Sequence, residues 1–239
     1  GGCFSGDTKI RLASGNALSF QELAEDWQKG ISHFGYATSE TGDVRIVPLV
    51  EPRRTRTEAP LVEVELDNGQ KIRCTPDHLF RLRNGSYREA RDLAEGDSLM
   101  PLRTRFTERG ENPGPGYEMV WMNGEQRWVH THHLADRHNL VSHVYTKARG
   151  PMRHHRNLDK KDNDPRNIVR LTREEHLSLH AGIAGETIAR LCQNPEYRER
   201  KLRSLSESAK KMWKDPTYRR RMAERVRLER QNPEINGSG

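Results

Sequence analysis

Ten residues, Thr107-Glu-Arg-Gly-Glu-Asn-Pro-Gly-Pro-Gly116, hold turn formers and almost no apolar anchors, so they can neither feed a core nor carry a helix or strand across it. Whatever this chain folds into must therefore be assembled from pieces on either side, and a linker is expected at 104–116. Composition points the same way. Of 239 residues 33% are hydrophobic and 31% charged, which is too polar for one large core but suits two or three small modules. No run approaches the roughly 18 apolar residues of a membrane span, and the start Gly-Gly-Cys-Phe lacks the order of a signal peptide, so no membrane partner is expected. Cys3, Cys74 and Cys192 form no C-x-x-C pair and no even set, which argues against a disulfide framework or thiolate zinc site and for an intracellular, reducing setting, the cytoplasm of a bacterial or phage-infected host.

The formal charge of +7 is uneven. Residues 1–116 carry 16 Lys/Arg against 18 Asp/Glu, 117–181 carry 11 against 8, and 182–239 carry 14 against 8. Nine of the 11 histidines fall between His130 and His180, which is where metal or proton chemistry should be sought. Residues 1–103 read as short strands cut by turns. The alternation Leu61-Val-Glu-Val-Glu-Leu66, the turn Asp67-Asn-Gly69 and the run Gln70-Lys-Ile-Arg-Cys74 predict a hairpin. Ser19-Phe-Gln-Glu22 predicts a capping box opening a helix, and Ser86 to Leu93 a further helical turn. Beyond Gly182 the motif Asx-Pro recurs at Asn194, Asp215 and Asn232, each placing an N-cap before a proline at the first helical position. Short basic helices with few apolar residues to bind them are expected there.

Cys3-Phe-Ser-Gly-Asp-Thr-Lys-Ile10 and Cys74-Thr-Pro-Asp-His-Leu-Phe80 resemble the first conserved block and the T-x-x-H block of inteins and hedgehog-type autoprocessing domains. The resemblance implies an all-β Hint domain that strains the Gly2–Cys3 peptide bond. Cys3 would attack the Gly2 carbonyl, exchanging an amide for a thioester. Thr75 and His78 would polarise that amide and protonate its nitrogen. Splicing inteins end in a His-Asn pair, whereas Asn236 here has no preceding histidine and is followed by a linker-like Gly-Ser-Gly end. A separate C-terminal intein fragment is therefore an expected partner, unless that block has been removed.

The run from Arg153-His-His-Arg to His176-Leu-Ser-Leu-His180, with Asn167 between, resembles an HNH endonuclease. Independently of that likeness, Thr172-x-x-Glu175 predicts a helix start, which puts His176 and His180 on one helical face. The resemblance implies one divalent metal ion held by His154, His176 and His180, with His155 as the base that activates water and Asn167 fixing the loop that orients it. Imidazole ligands suit zinc, nickel or manganese better than magnesium by affinity, and the ion stays open among these four. His130, His132, His133, His138 and His143 match no ligand spacing and are expected in loop or phosphate-facing positions.

Lys201 to Arg221 resembles the modular DNA-binding repeats of phage and intron homing endonucleases. That implies a double-stranded DNA partner, phosphate contacts from Lys210, Lys211, Lys214, Arg219, Arg220 and Arg221, and Trp213 packing the turn between helices. Together the resemblances imply a multidomain chain. Its parts are an all-β Hint domain (1–103), the linker (104–116), a small ββα-metal HNH nuclease domain (117–181), an extended α-helical DNA-binding tail (182–236) and a linker-like remnant (237–239). The activity implied is that of an intein-associated homing endonuclease. A nuclease toxin released by its Hint domain and a catalytically dead DNA-binding module are the rivals.

Overall fold

The computed structural model describes residues 1–231; the expected repeat at Asn232, Asn236 and the remnant at 237–239 lie outside the described residues. Eight short strands and one helix fill the first hundred residues: β1 (Lys9–Arg11), β2 (Ala17–Ser19), α1 (Phe20–Gln28), β3 (His33–Thr38), β4 (Val44–Leu49), β5 (Val62–Glu65), β6 (Lys71–Cys74), β7 (Leu79–Arg81) and β8 (Tyr87–Glu89). They pair as antiparallel neighbours, β1 with β2, β3 with β4, β5 with β6 and β7 with β8. The predicted hairpin is β5–β6, in register Val62↔Cys74 to Glu65↔Lys71. Its turn needs Gly69, which sits at φ 77°, a conformation that a side chain disfavours. Ser19 caps α1 in the predicted box, its hydroxyl accepting from Glu22 N while the Glu22 carboxylate accepts from Ser19 N at 2.8 Å. The helical turn expected over Ser86–Leu93 is instead strand β8 followed by one 3-10 turn at Ala90–Asp92, because Tyr87–Glu89 pairs with β7 and tertiary pairing overrides local preference.

Three more strands, β9 (Thr104–Phe106), β10 (Glu118–Met122) and β11 (Arg127–His130), form one antiparallel sheet in the order β11-β10-β9. Residues 104–116 are therefore not a free linker. Their first three residues pair with β10, and the rest form a loop closed by Thr107, whose hydroxyl donates to Gly114 O at 2.7 Å and accepts from Tyr117 N at 2.9 Å. Helix α2 (Thr131–Val141), the hairpin β12 (Met152–His155) and β13 (Ile168–Leu171), and helices α3 (Arg173–Leu191), α4 (Pro195–Lys214) and α5 (Pro216–Gln231) complete the chain.

The largest buried apolar cluster ignores the expected boundary. Ala13, Val44 and Ile46 pack with Val120, Met122, Val129, Leu134, Ala135 and Ile168, so residues on both sides of 104–116 share one core. A smaller cluster gathers Phe4, Val62, Val64, Ile72, Cys74, Phe80 and Ala90 beneath β5–β8. The chain divides into two compact units at 176/177, inside α3, rather than at 104–116. In the second unit, α4 buries none of its residues. It begins where the Asx-Pro motif places a cap: the Asn194 carboxamide accepts from Glu196 N at 2.9 Å and Tyr197 N at 3.1 Å, with Pro195 next.

Candidate functional site

The Cys3 region is built where the second block of residues folds back on the first. An antiparallel bridge joins Phe4 to Cys74, and beside it Thr75 grips Cys3 from both sides. Cys3 N donates to Thr75 Oγ1 at 2.9 Å, and Thr75 N donates to Cys3 O at 2.8 Å. His78 backs directly onto Gly2, the residue before Cys3: a Cβ placed on Gly2 would lie 2.2 Å from His78 Cα, so only glycine fits at position 2. The Phe4 ring covers the His78 imidazole with centroids 3.9 Å apart. Burial pulls the His78 imidazole below its ordinary value, with the Gly2 backbone and Asp77 acting the other way. The Cys3 thiol donates to Gly1 O at 3.7 Å and lies 3.0 Å from Thr55 Oγ1. It lines an open cleft of about 1080 Å³ whose wall includes Arg53, Arg54 and Thr55. Thr55 sits in a basic stretch with no motif, and no sequence signal marks it. The structure thus brings Cys3, Thr75 and His78 together, an arrangement able to hold an amide for attack by a neighbouring thiol.

The second site rests on the β12–β13 hairpin and α3. His154 and His155 end β12, in register with Val169 and Ile168 of β13. The predicted capping box starts α3: Thr172 N donates to the Glu175 carboxylate at 2.8 Å, and Glu175 N donates to Thr172 Oγ1 at 3.1 Å. The Arg149 guanidinium beside Glu175 holds its carboxyl down at about 2. On this helix His176 stands with its ring 5.5 Å from that of His154, and His180 follows one turn on. One ring nitrogen from each of His154, His176 and His180 lies within 4.8 Å of the others. Three imidazole donors at that spacing fit a divalent ion of the zinc, nickel or manganese kind and leave positions open for small oxygen ligands.

Among the described residues Asn167 makes no hydrogen bond to His155. Its carboxamide closes the intervening loop, donating to Asn157 Oδ1 at 2.9 Å and Asp162 O at 2.8 Å and accepting from Asn157 N at 3.1 Å. Asn163, which sequence reasoning passed over, faces His155: its Oδ1 lies 3.3 Å from His155 Nε2. Burial lowers the pKa of His155, with Asn163 opposing, which favours the neutral imidazole that a base requires.

Helix α2 supplies the floor of this site through a polar face. Its residues His132, Asp136 and Asn139 are all buried. The Asp136 carboxylate accepts from Arg170 at 2.6 and 2.7 Å, from Arg153 at 2.8 Å and from Tyr145 at 3.0 Å, while Asn139 donates to Pro165 O at 2.8 Å. The side-chain amide and carboxylate thereby pin both strands of the hairpin. Burial raises the Asp136 pKa, yet Arg170 and Arg153 outweigh it and the carboxyl stays below its ordinary value. Not all five remaining histidines lie in loops. His132, His133 and His138 belong to α2, and His130 ends β11 just before it. The His132 ring stands 5.4 Å from His155 and 5.5 Å from Tyr117. Burial drives the His132 pKa down to about 2, so it sits there uncharged.

In the helical tail Lys210, Lys211 and Lys214 lie in the last turns of α4 and Arg219, Arg220 and Arg221 in the first turns of α5, all exposed. Trp213 packs edge-on against Tyr218 across the Asp215-Pro216 turn, with ring centroids 5.7 Å apart.

No family model matches the chain. It is 37% identical over 244 residues to the B subunit of DNA gyrase from Synechocystis, a match covering 94% of this chain and 23% of that protein. The chain thus spans under a quarter of the length of that relative. Among solved structures it is similar to a DnaB intein from Synechocystis sp. PCC 6803, at 18% identity and a TM-score of 0.35, covering 54% of this chain and 98% of that one. It is also similar to the PabCDC21-1 intein, at 22% identity and a TM-score of 0.31, covering 53% of this chain and 85% of that one. No described helix is long and apolar enough to cross a membrane.

Proposed function

We propose that this chain is the larger part of an intein that carries an HNH homing endonuclease, resident in a host of the gyrase B type. The observation that carries the nuclease half is the three-histidine group whose ring nitrogens lie within 4.8 Å of one another, formed by a β-hairpin and the helix that follows it, with His155 beside His154. When bound there, a divalent ion supplies Lewis-acid stabilisation of charge on phosphate oxygens. His155 takes the proton of a water molecule as its oxygen bonds to phosphorus. The ester P–O bond breaks opposite, and the departing oxygen is protonated by solvent. Asn167 keeps the loop from Asn157 to Asp162 closed while His155 acts. The exposed cations of α4 and α5 bind phosphates of double-stranded DNA, so affinity falls steeply with salt.

The self-processing half is supported by the clamp of Thr75 on Cys3 and the press of His78 on Gly2. As Cys3 Sγ bonds to the Gly2 carbonyl carbon its thiol proton passes to His78, the C–N bond breaks, and His78 hands that proton to the freed amine while Thr75 holds the nitrogen. That nearly all of this chain corresponds to a small share of a gyrase protein agrees with an element lodged in such a host. The test is plasmid nicking by the full chain with magnesium, manganese, zinc or nickel, on DNA carrying an uninterrupted gyrase B gene and on unrelated DNA. His155→Ala is expected to lower cleavage at least about a hundredfold with DNA binding retained. Undiminished cleavage refutes the role of His155, and equal cutting of both plasmids favours the toxin reading.

A further inference from the structure

A buried chain of polar groups runs from the N-terminal strands to the nuclease base. Arg11 of β1 forms an ion pair with Glu118 of β10, a carboxylate only 1% exposed. The other oxygen of Glu118 accepts from Asn163 Nδ2 at 3.2 Å and from the Tyr36 hydroxyl of β3 at 3.3 Å. Asn163, fully buried, also donates through Nδ2 to Lys161 O at 3.2 Å, and its backbone N–H donates to Ala13 O at 2.8 Å. With Nδ2 committed to a carboxylate and a carbonyl, both pure acceptors, the side-chain oxygen of Asn163 has to be the atom turned toward His155. An amide oxygen only accepts. His155 Nε2, 3.3 Å away, must then carry the proton, which leaves the Nδ1 lone pair as the basic one.

We propose that Asn163 is a positioning residue, locked by the Arg11–Glu118 pair and Tyr36, which fixes His155 as the Nε2–H tautomer and makes Nδ1 the base. The inference rests on the endonuclease reading and adds to it. The group that polarises the nuclease base belongs in part to the self-processing segment, since Arg11, Ala13 and Tyr36 all precede residue 50. The polarity of each link follows from the one before it. Arg11 pairs with one oxygen of the Glu118 carboxylate, the other oxygen orients the Asn163 amide, and the amide selects the tautomer.

The experiment is 15N NMR of histidine-labelled, metal-free full chain at mildly alkaline pH, read beside single-turnover cleavage. The wild type should show His155 with a protonated Nε2 and a pyridine-like Nδ1. Asn163→Ala should shift that signal to a tautomer mixture and lower kcat by about a hundredfold with KM within about twofold, since the base is misaligned while DNA contacts persist. If Asn163→Ala fails to fold by circular dichroism, Glu118→Gln carries the same test, because a neutral amide can donate to Asn163 and let it flip. A wild type protonated on Nδ1, or a His155 signal unmoved in both variants, overturns the proposal. If the tautomer responds as stated while wild type cuts no DNA with any of the four metals, positioning stands and the endonuclease reading falls.

Discussion

Two histidines, His132 and His133, are expected to make the folded chain sensitive to acid. His132 is held uncharged by burial, its pKa driven to about 2 from an ordinary 6.5; His133, beside it with rings 4.6 Å apart, is lowered to about 4, again mainly by burial. A folded-state pKa below the unfolded one means that the unfolded chain binds the extra proton first. Stability is therefore complete above about pH 6.5 and falls as the pH drops, by about 1.4 kcal/mol per pH unit for His132. His132→Leu is expected to flatten the decline of Tm between about pH 6.5 and 5, and a slope equal to wild type would show that His132 is not the group responsible. At this scale much was legible: Cys3, Thr75, His78, His154, His155, Asn167, His176 and His180 stand at motif spacings. Asn163, Thr55 and Glu118 were not, because a lone polar residue in a loop or strand has no periodic or spacing signal; its role is set by what packs against it.

Helix α2 shows why one whole element escaped sequence reading. Beside the apolar Leu134 and Ala135, its buried residues include His132, Asp136 and Asn139 at spacings of four and three, so much of the helical period is written in polar residues, and no side chain caps its start. The face is stable only because the hairpin supplies partners of opposite polarity. Arg170, 6% exposed, and Asp136, 3% exposed, form a buried pair with additional hydrogen bonds from Arg153 and Tyr145. Such pairs add little net stability against an apolar replacement, but removing one partner strands the other charge. Asp136→Ala is expected to cost about 3–5 kcal/mol in chemical denaturation and to loosen the β12–β13 hairpin, weakening the metal binding proposed for His154. A loss under about 1 kcal/mol would mean that Arg170 finds another partner. By contrast α1, α3 and α4 announce themselves through Ser19, Thr172 and Asn194, since capping is decided within four residues of sequence.

Modules that look separable in the sequence share a core in the fold. Ala13, Val44 and Ile46 lie against Val120, Met122, Val129 and Ile168, and Ala13 O receives the Asn163 amide. A fragment of residues 117–181 would lack three of the nine buried residues of that cluster and should not fold alone. Its circular dichroism should lack a cooperative thermal transition, whereas residues 1–181 should retain one, and a folded 117–181 fragment would contradict the shared core. The charge pattern, acidic first and basic last, placed the start of the helical tail at 182, whereas the compact units divide at 176/177 inside α3. It missed the union of 1–103 with 117–176, because a turn-rich segment can be a linker or the long loop of a sheet, and only the pairing of Thr104–Phe106 with β10 chooses between them. Sequence alone therefore determined what is local: the β5–β6 turn, the helix starts and the residue types of both sites. The tertiary structure decided what depends on long-range contact, namely which strands join one core and which buried partners give Asn163, Glu118 and Asp136 their roles, since burial and pairing are properties of neighbours brought together from distant positions.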